Sequence, residues 1–285
     1  MKKIKNSVCA LLSATALLFS SCLGDSDYTP TIGCTGTPYG IGSEILLDNG
    51  ITVSVSNVEP TALMNEDRVF VYGQLAGESA ELEEIKPGDK ITITGSCYPM
   101  EEIEPISEAA NEEEAFASVK LTEVGSFNWF AMGGSIFNAL NGYMNFALYG
   151  DCYTKKTGSG ESGSSSSDSY TLVTPNYYMY ISKVDKEAKI VDLVFGYDNR
   201  KDECVDENGK LKDGYSFNEN ALLPFLFFDV RSLYYEFEDL ADEDMIVFNV
   251  YTATKDKDGK LEKDKVDLSY TSIPKSALKR TYGGY

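Results

Sequence analysis

The chemistry open to this chain is bounded first by a residue it lacks, for it contains no histidine. Without imidazole, Ser-His-Asp and Cys-His nucleophilic catalysis are excluded, and so is nearly every His-ligated zinc or iron site. Cysteine is the next reactive type. Cys34, Cys97, Cys152 and Cys204 are spread along the chain, with no CxxC and with spacings far too wide for a zinc knuckle. In an oxidising compartment they are possible disulfide partners in any of three connectivities. Pairing within each half, Cys34–Cys97 and Cys152–Cys204, is the expectation. Carboxylates are plentiful, and two of them at the right separation would suffice for glycoside hydrolysis. Among 45 acids the sequence singles out no pair. The expectation is a chain with no catalytic residues, no cofactor and no metal site.

Three weaker constellations have simpler readings beside them. DKDG at 256–259 has the start of a calcium loop, but an EF-hand places a Glu at position 12 between two helices. Gly259 comes too early and strand-like runs flank it, so a hairpin turn is expected. DNRKDECVDENG at 198–209 is a weak calcium candidate or, preferably, a solvated loop stapled through Cys204. Tyr177, Tyr178 and Tyr180 could offer rings to sugars. Strand alternation puts Tyr178 and Tyr180 on one face, which makes packing the default. The single tryptophan, Trp129, reads as a wedge between domains, a core residue or a sugar-stacking platform.

The elements that would position such groups begin with a leader. Lys2, Lys3 and Lys5 precede the apolar run Val8–Phe19, too short to span a hydrocarbon core of about 20 residues. Ser20-Ser21-Cys22 then makes residues 1–21 a lipoprotein signal peptide, although Phe19 stands where Leu is usual. Lipidation of Cys22 would anchor the chain to a membrane, each buried CH2 contributing about 0.8 kcal/mol. Residues 22–33 read as a polar tether. Asp25 and Asp27 resemble the acidic export signal that sends lipoproteins of Bacteroidota to the cell surface. The expected location is the outer membrane, surface-exposed, with a periplasm-facing anchor as the alternative.

The charge points the same way. There are 25 Lys and Arg against 45 Asp and Glu, a net charge of −20. Loss of the three leader lysines leaves 22 against 45, near −23. Such a surface repels phosphate, which argues against nucleic acid and against a second, electrostatic membrane contact.

The mature part reads as two β-rich domains. LLDNGITVSVS contains Asn49-Gly50, which readily takes the left-handed angles of a tight hairpin turn. Its alternation puts Ile51, Val53 and Val55 on one face and Thr52, Ser54 and Ser56 on the other. Further strands are expected at 67–75, 86–98 and 116–124, with EEIEPISEAANEEE (101–114) a helix or loop. These suit a small barrel of oligonucleotide/oligosaccharide-binding (OB) shape over 34–125. A junction at 126–141 follows, then a β-sandwich over 142–285 whose segments 143–153 and 170–183 pair across a flexible polar loop at 155–169. EFEDLADED, 236–244, is expected to be a solvated helix or loop. The fold class is all-β.

LLDNGITVSVSN, GYMNFALYGD, YYMYISKV and VDLVFGYDNRKD, after an acidic tether, resemble NigD-like lipoproteins. The resemblance covers about residues 22–275. It implies an N-terminal barrel with a C-terminal β-sandwich and a bacteriocin-associated, immunity-like or accessory role. It brings no reaction and no functional residues, and the missing histidines and the Ser-rich loop depart from the family pattern. The expected function is a non-enzymatic binding or accessory lipoprotein holding an envelope protein partner. The alternative is a surface glycan binder of a polysaccharide-capture system, which an exposed aromatic strip would favour.

Overall fold

The computed structural model describes residues 31–40, 44–76, 85–128, 141–158, 169–266 and 272–279. The first body uses five strands: β1 (Thr31–Tyr39), β2 (Glu44–Leu47), β3 (Thr52–Val55), β4 (Val69–Leu75) and β5 (Lys90–Glu102). β1 pairs antiparallel with β2 and β4, and β2 with β3. β3 runs parallel to β5, and β4 closes the ring against β5. The order 1-2-3-5-4-1 is a closed OB-like barrel, with a 3-10 turn at Pro60–Leu63 between β3 and β4. Asn49-Gly50 makes the predicted turn. Gly50 has φ +84°, and the Asn49 side-chain oxygen accepts from the Ile51 amide at 3.1 Å. The apolar stripe Ile51, Val53, Val55 faces the barrel core with Ile45, Leu47, Val69, Val71 and Ile93.

The second body is two facing sheets. Its strands are β6 (Glu104–Ile106), β7 (Val124–Asn128), β8 (Tyr143–Gly158), β9 (Ser169–Leu172), β10 (Asn176–Asp185), β11 (Ile190–Asp198), β12 (Tyr215–Leu222), β13 (Phe225–Asp229), β14 (Met245–Lys255), β15 (Leu261–Lys265) and β16 (Ser272–Pro274). One sheet, β15-β14-β11-β10-β6 with β16 on β14, is separate. The other continues the barrel. β5 runs past the ring and pairs parallel with β13, which pairs with β8, which pairs with β12. Phe146, Leu148, Leu226 and Phe228 of this sheet meet Leu193, Phe195, Phe248 and Val250 of the other in the main core. β8 and β9 form a hairpin, but between 154–158 and 169–172 rather than between 143–153 and 170–183: 143–153 pairs with β7, β12 and β13, and 176–183 lies in β10 of the other sheet. The expected turn at DKDG, 256–259, also forms, and LEKDK (261–265) is strand β15.

Two elements differ from the sequence reading. The barrel's missing strand is β1, which begins at Thr31 inside the expected tether, and 116–124 is not a barrel strand. Residues 103–128 belong to the sandwich. Helix α1 (Glu112–Ala115), capped by Asn111 and followed by Phe116 and Val119, lies on the outer face of the second sheet, over Val194 and Ala253. Phe116 is bulky and apolar, and Gly196 leaves its seat. A Cβ on Gly196 would come 2.5 Å from the Phe116 ring. Lys255 ties the segment down by donating to the carbonyls of Val119 (2.7 Å) and Ala117 (3.2 Å). Covered on both faces and parallel to β14, β11 reads as the near-continuous apolar run VDLVFGY.

Candidate functional site

The outward positions of β4 and its preceding residue are Arg68, Phe70, Tyr72 and Gln74, because Val69 and Val71 fill the barrel. The sandwich covers the first two. Arg68 is fully buried and holds the equally buried Asp48 at 2.5 Å. Asp48 also accepts from the Thr35 hydroxyl at 2.5 Å and from Asn141 at 3.2 Å. Asn145 donates to Thr35 at 3.3 Å. Asn141 and Asn145 come from the second body, so this network crosses the seam. The Arg68 guanidinium lies 4.2 Å from the Tyr143 ring centroid, a cation–π contact, while its Nε and Nη1 make no hydrogen bond among the described residues. Phe70 packs with Phe225 at 4.9 Å between ring centroids.

The cover ends at Tyr72. Tyr72 is 49% exposed, and Tyr98 on β5 is 46% exposed. The pairing sets Tyr72 opposite Ser96 and Tyr98 opposite Phe70, so the two tyrosines are diagonal neighbours. Such pairs stand about 7–8 Å apart at Cα. Both rings are held. Tyr98 stacks on Phe70 (6.3 Å, 24°) and meets Phe225 edge-on at 6.0 Å. Tyr72 lies across Gly33 of β1, where a Cβ would come 3.6 Å from its ring. Around them the outward side chains are Ser54 of β3, Gln74 of β4 and Thr92, Thr94 and Ser96 of β5, with Ser56, just after β3, hydrogen-bonded to Thr94 at 3.2 Å; Lys90, the first residue of β5, is also outward and pairs with Glu44 at 3.1 Å. Around the two exposed, braced rings the face is thus uncharged and hydroxyl-rich, on a strongly acidic chain.

The neighbouring face of β2 and β3 is different. In barrels of this topology the strand 2–3 face commonly holds oligonucleotides or oligosaccharides. Here Glu44 accepts from Tyr39 at 2.6 Å and from Lys90 at 3.1 Å, so charge is tied up across it. These contacts hold the Glu44 carboxyl below its ordinary range, the Tyr39 hydroxyl first.

The residues singled out from sequence fall elsewhere. Cys22, Trp129 and the tether acids Asp25 and Asp27 lie outside the described residues. The expected disulfides are not formed: Cys34, Cys97, Cys152 and Cys204 are all thiols. Cys34 and Cys97 are both register partners of Val71, one on each side of β4. Two strand spacings separate their backbones, about 8–10 Å, beyond the reach of a disulfide. Burial first and then the Asp48 charge push the Cys34 thiol up to about 12, and burial pushes Cys97 to about 11. Cys152 lies in the sandwich core with Tyr177 and Tyr197, whereas Cys204, in helix α2 (Lys201–Cys204), acts on Tyr153, which leaves the opposite face of β8.

Asp256 closes the DKDG turn by accepting the amides of Asp258 (2.9 Å) and Lys260 (2.8 Å), and Asp206 does the same for Asn208 and Lys210 at 2.9 Å each. No group of three or more metal-type ligands occurs among the described residues. A groove of about 420 Å3 beside α2 is lined by Lys120, Asn199, Arg200 and three acids: Glu203 pairs with Arg200, Asp202 pairs with Lys120, and Asp198 accepts from the Arg200 amide at 2.8 Å. Tyr177 is buried in the main core, and burial pushes its hydroxyl far above its ordinary range. Tyr178 and Tyr180 pack under α1 and Phe116, as the alternation implied. Sequence reading passed over Tyr72 and Tyr98. Their signal was present in VFVYGQL, where alternation sets Phe70 and Tyr72 opposite the apolar stripe, and in GSCYP.

No family model matches the chain, and no curated protein matches it. Solved structures are similar to it at low identity. A NigD-like immunity protein from Bacteroides caccae is 14% identical, with 84% of this chain and 94% of that one covered and a TM-score of 0.37. A toxin-related protein from Parabacteroides distasonis is 12% identical, with 87% and 95% covered and a TM-score of 0.40. An uncharacterized protein from Parabacteroides merdae is 12% identical, with 85% and 97% covered and a TM-score of 0.45. The NigD-like proteins that the sequence resembles are thus represented among these structures.

Proposed function

We propose that this protein is a non-catalytic binding lipoprotein of the cell envelope, anchored through Cys22 and holding its ligand on the β4–β5 face of the barrel. The observation that carries the binding face is the pair Tyr72 and Tyr98, each close to half exposed and braced from beneath by Phe70, Phe225 and Gly33. Rings held in place before a ligand arrives lose little entropy on contact. The leader and LFSSC support the anchor, and GDSD supports an outward-facing location. Labelling with a palmitate analogue tests the anchor: Cys22→Ser is expected to abolish incorporation and release the chain from membranes. Protease treatment of intact cells tests the location. Loss of the chain is expected, and survival until the outer membrane is broken would turn the search to the periplasm.

A second reading gives the face to a protein ligand, as in bacteriocin immunity. It is favoured by the sequence resemblance to NigD-like lipoproteins and by the name of the Bacteroides caccae neighbour. A deletion strain that becomes sensitive to a toxin from neighbouring bacteria, and recovers with the wild-type chain but not with a Tyr72→Ala/Tyr98→Ala double variant, would support it.

A further inference from the structure

We infer that the β4–β5 face takes a neutral glycan chain, laid across β4 and β5 with pyranose rings stacked on Tyr72 and Tyr98. The inference rests on the proposed binding face and names its ligand class. Three observations on this face carry it. The two tyrosines stand as diagonal neighbours on one outward surface, each with one side braced and nearly half its area in solvent. An aromatic ring presents a flat apolar surface with a negative quadrupole, which suits the weakly positive C–H face of a sugar ring. The polar groups beside the rings are hydroxyls and an amide, from Ser54, Thr94, Ser96 and Gln74, which both donate and accept as sugar hydroxyls require.

Charge selects within the class. The chain carries −20 overall, yet the outward positions beside the rings hold no ionised side chain, and Lys90 at the start of β5 is paired with Glu44 at 3.1 Å. Anionic polymers such as uronic-acid glycans and nucleic acids would be repelled by the surrounding field, and a cationic ligand would find no carboxylate on the face itself. A neutral polysaccharide meets neither penalty. The face is distinct from the β2–β3 surface of the barrel, where Glu44 is held between Tyr39 and Lys90.

The test is affinity electrophoresis of the full chain through gels cast with a neutral α-glucan, β-glucan, mannan or xylan, with polygalacturonate as the anionic control. At least one neutral polymer is expected to retard the chain and polygalacturonate is not. Tyr72→Ala and Tyr98→Ala should each weaken binding at least about tenfold, the loss of one aromatic anchor. Tyr72→Phe and Tyr98→Phe, which keep the ring, should stay close to wild type, as should Tyr178→Ala. Wild-type retardation of both alanine variants would overturn the inference, and so would the absence of retardation by every neutral polymer. In that last case a photo-crosslinker at position 72 on intact cells separates the two failures. Capture of a protein would remove the glycan and leave the binding face standing, whereas capture of nothing would remove both.

Discussion

Two strand faces of this molecule carry a pair of neighbouring tyrosines, and they end differently. On β10, Tyr178 and Tyr180 lie beneath α1, Phe116 and Val119, with Tyr180 donating to the Ala109 carbonyl at 3.4 Å. On β4 and β5, Tyr72 and Tyr98 stand just beyond the last covered residue, Phe70, and nothing among the described residues lies over them. A tyrosine-rich strand is therefore not in itself a binding surface. What decides is whether the chain supplies a cover, and here the segment 107–121 covers one sheet while the sandwich stops short on the other.

That contrast can be broken from either side. The largest effect is expected where cover meets bare face. Arg68→Ala leaves Asp48 buried without its counter-charge and should cost about 3–5 kcal/mol in denaturant unfolding. Replacing both partners by apolar residues of similar volume (Arg68→Met with Asp48→Leu) should cost much less, and equal losses would deny the pair its role at the seam. Phe116→Ala removes the lid of the second sheet and should also cost about 3–5 kcal/mol. It should make Tyr178 and Tyr180 accessible to nitration; tyrosines that stay protected would mean that α1 alone is the cover. Tyr180→Ala should cost about 1–2 kcal/mol, whereas Tyr72→Ala should stay within about 0.5 kcal/mol, because exposed side chains contribute little to folding. A large loss at Tyr72 would recast its ring as a mere cover for Gly33.

The smallest effects concern the thiols. Non-reducing peptide mapping is expected to find Cys34, Cys97, Cys152 and Cys204 unbridged, and a Cys34–Cys97 bridge would contradict the register on either side of Val71. Burial holds the Cys34 proton more tightly in the folded state, raising the thiol from 9.0 to about 12. Its contribution to stability is therefore complete below about pH 9 and is lost as pH rises toward 12. Cys34→Ala should flatten that alkaline decline in melting temperature.

Much of the fold could be read from alternation and turns. Asn49-Gly50 and the stripe Ile51, Val53, Val55 placed a hairpin correctly, and DKDG was recognisable as a turn because its glycine came too early for a calcium loop. β1 was missed because TIGCTGTPY, rich in Gly and Thr, lacks the bulky alternation that marks a strand. Of its glycines, Gly36 makes room for β2, where a Cβ would come 2.7 Å from the Leu46 carbonyl oxygen. FASVKLTEV alternates like a strand, yet its Phe116 fills the hollow over Gly196, a tertiary fact that no local pattern carries. The disulfides failed for a similar reason, since compartment and count say nothing of the β4 strand standing between Cys34 and Cys97. Tyr72 and Tyr98 lie some 26 positions apart, and only the β4–β5 register makes them neighbours.

The long strand β5 serves first as a stave of the barrel and then, over Met100 to Glu102, as a neighbour of β13. A beam common to two bodies permits no hinge where it crosses. The barrel and sandwich must therefore rotate and travel together, and a force applied at the β4–β5 face would be carried along β5 straight into the sandwich. If the proposed face binds, it would do so as a fixed hook rather than a closing jaw, and its ligand would have to fit the shape that is already there.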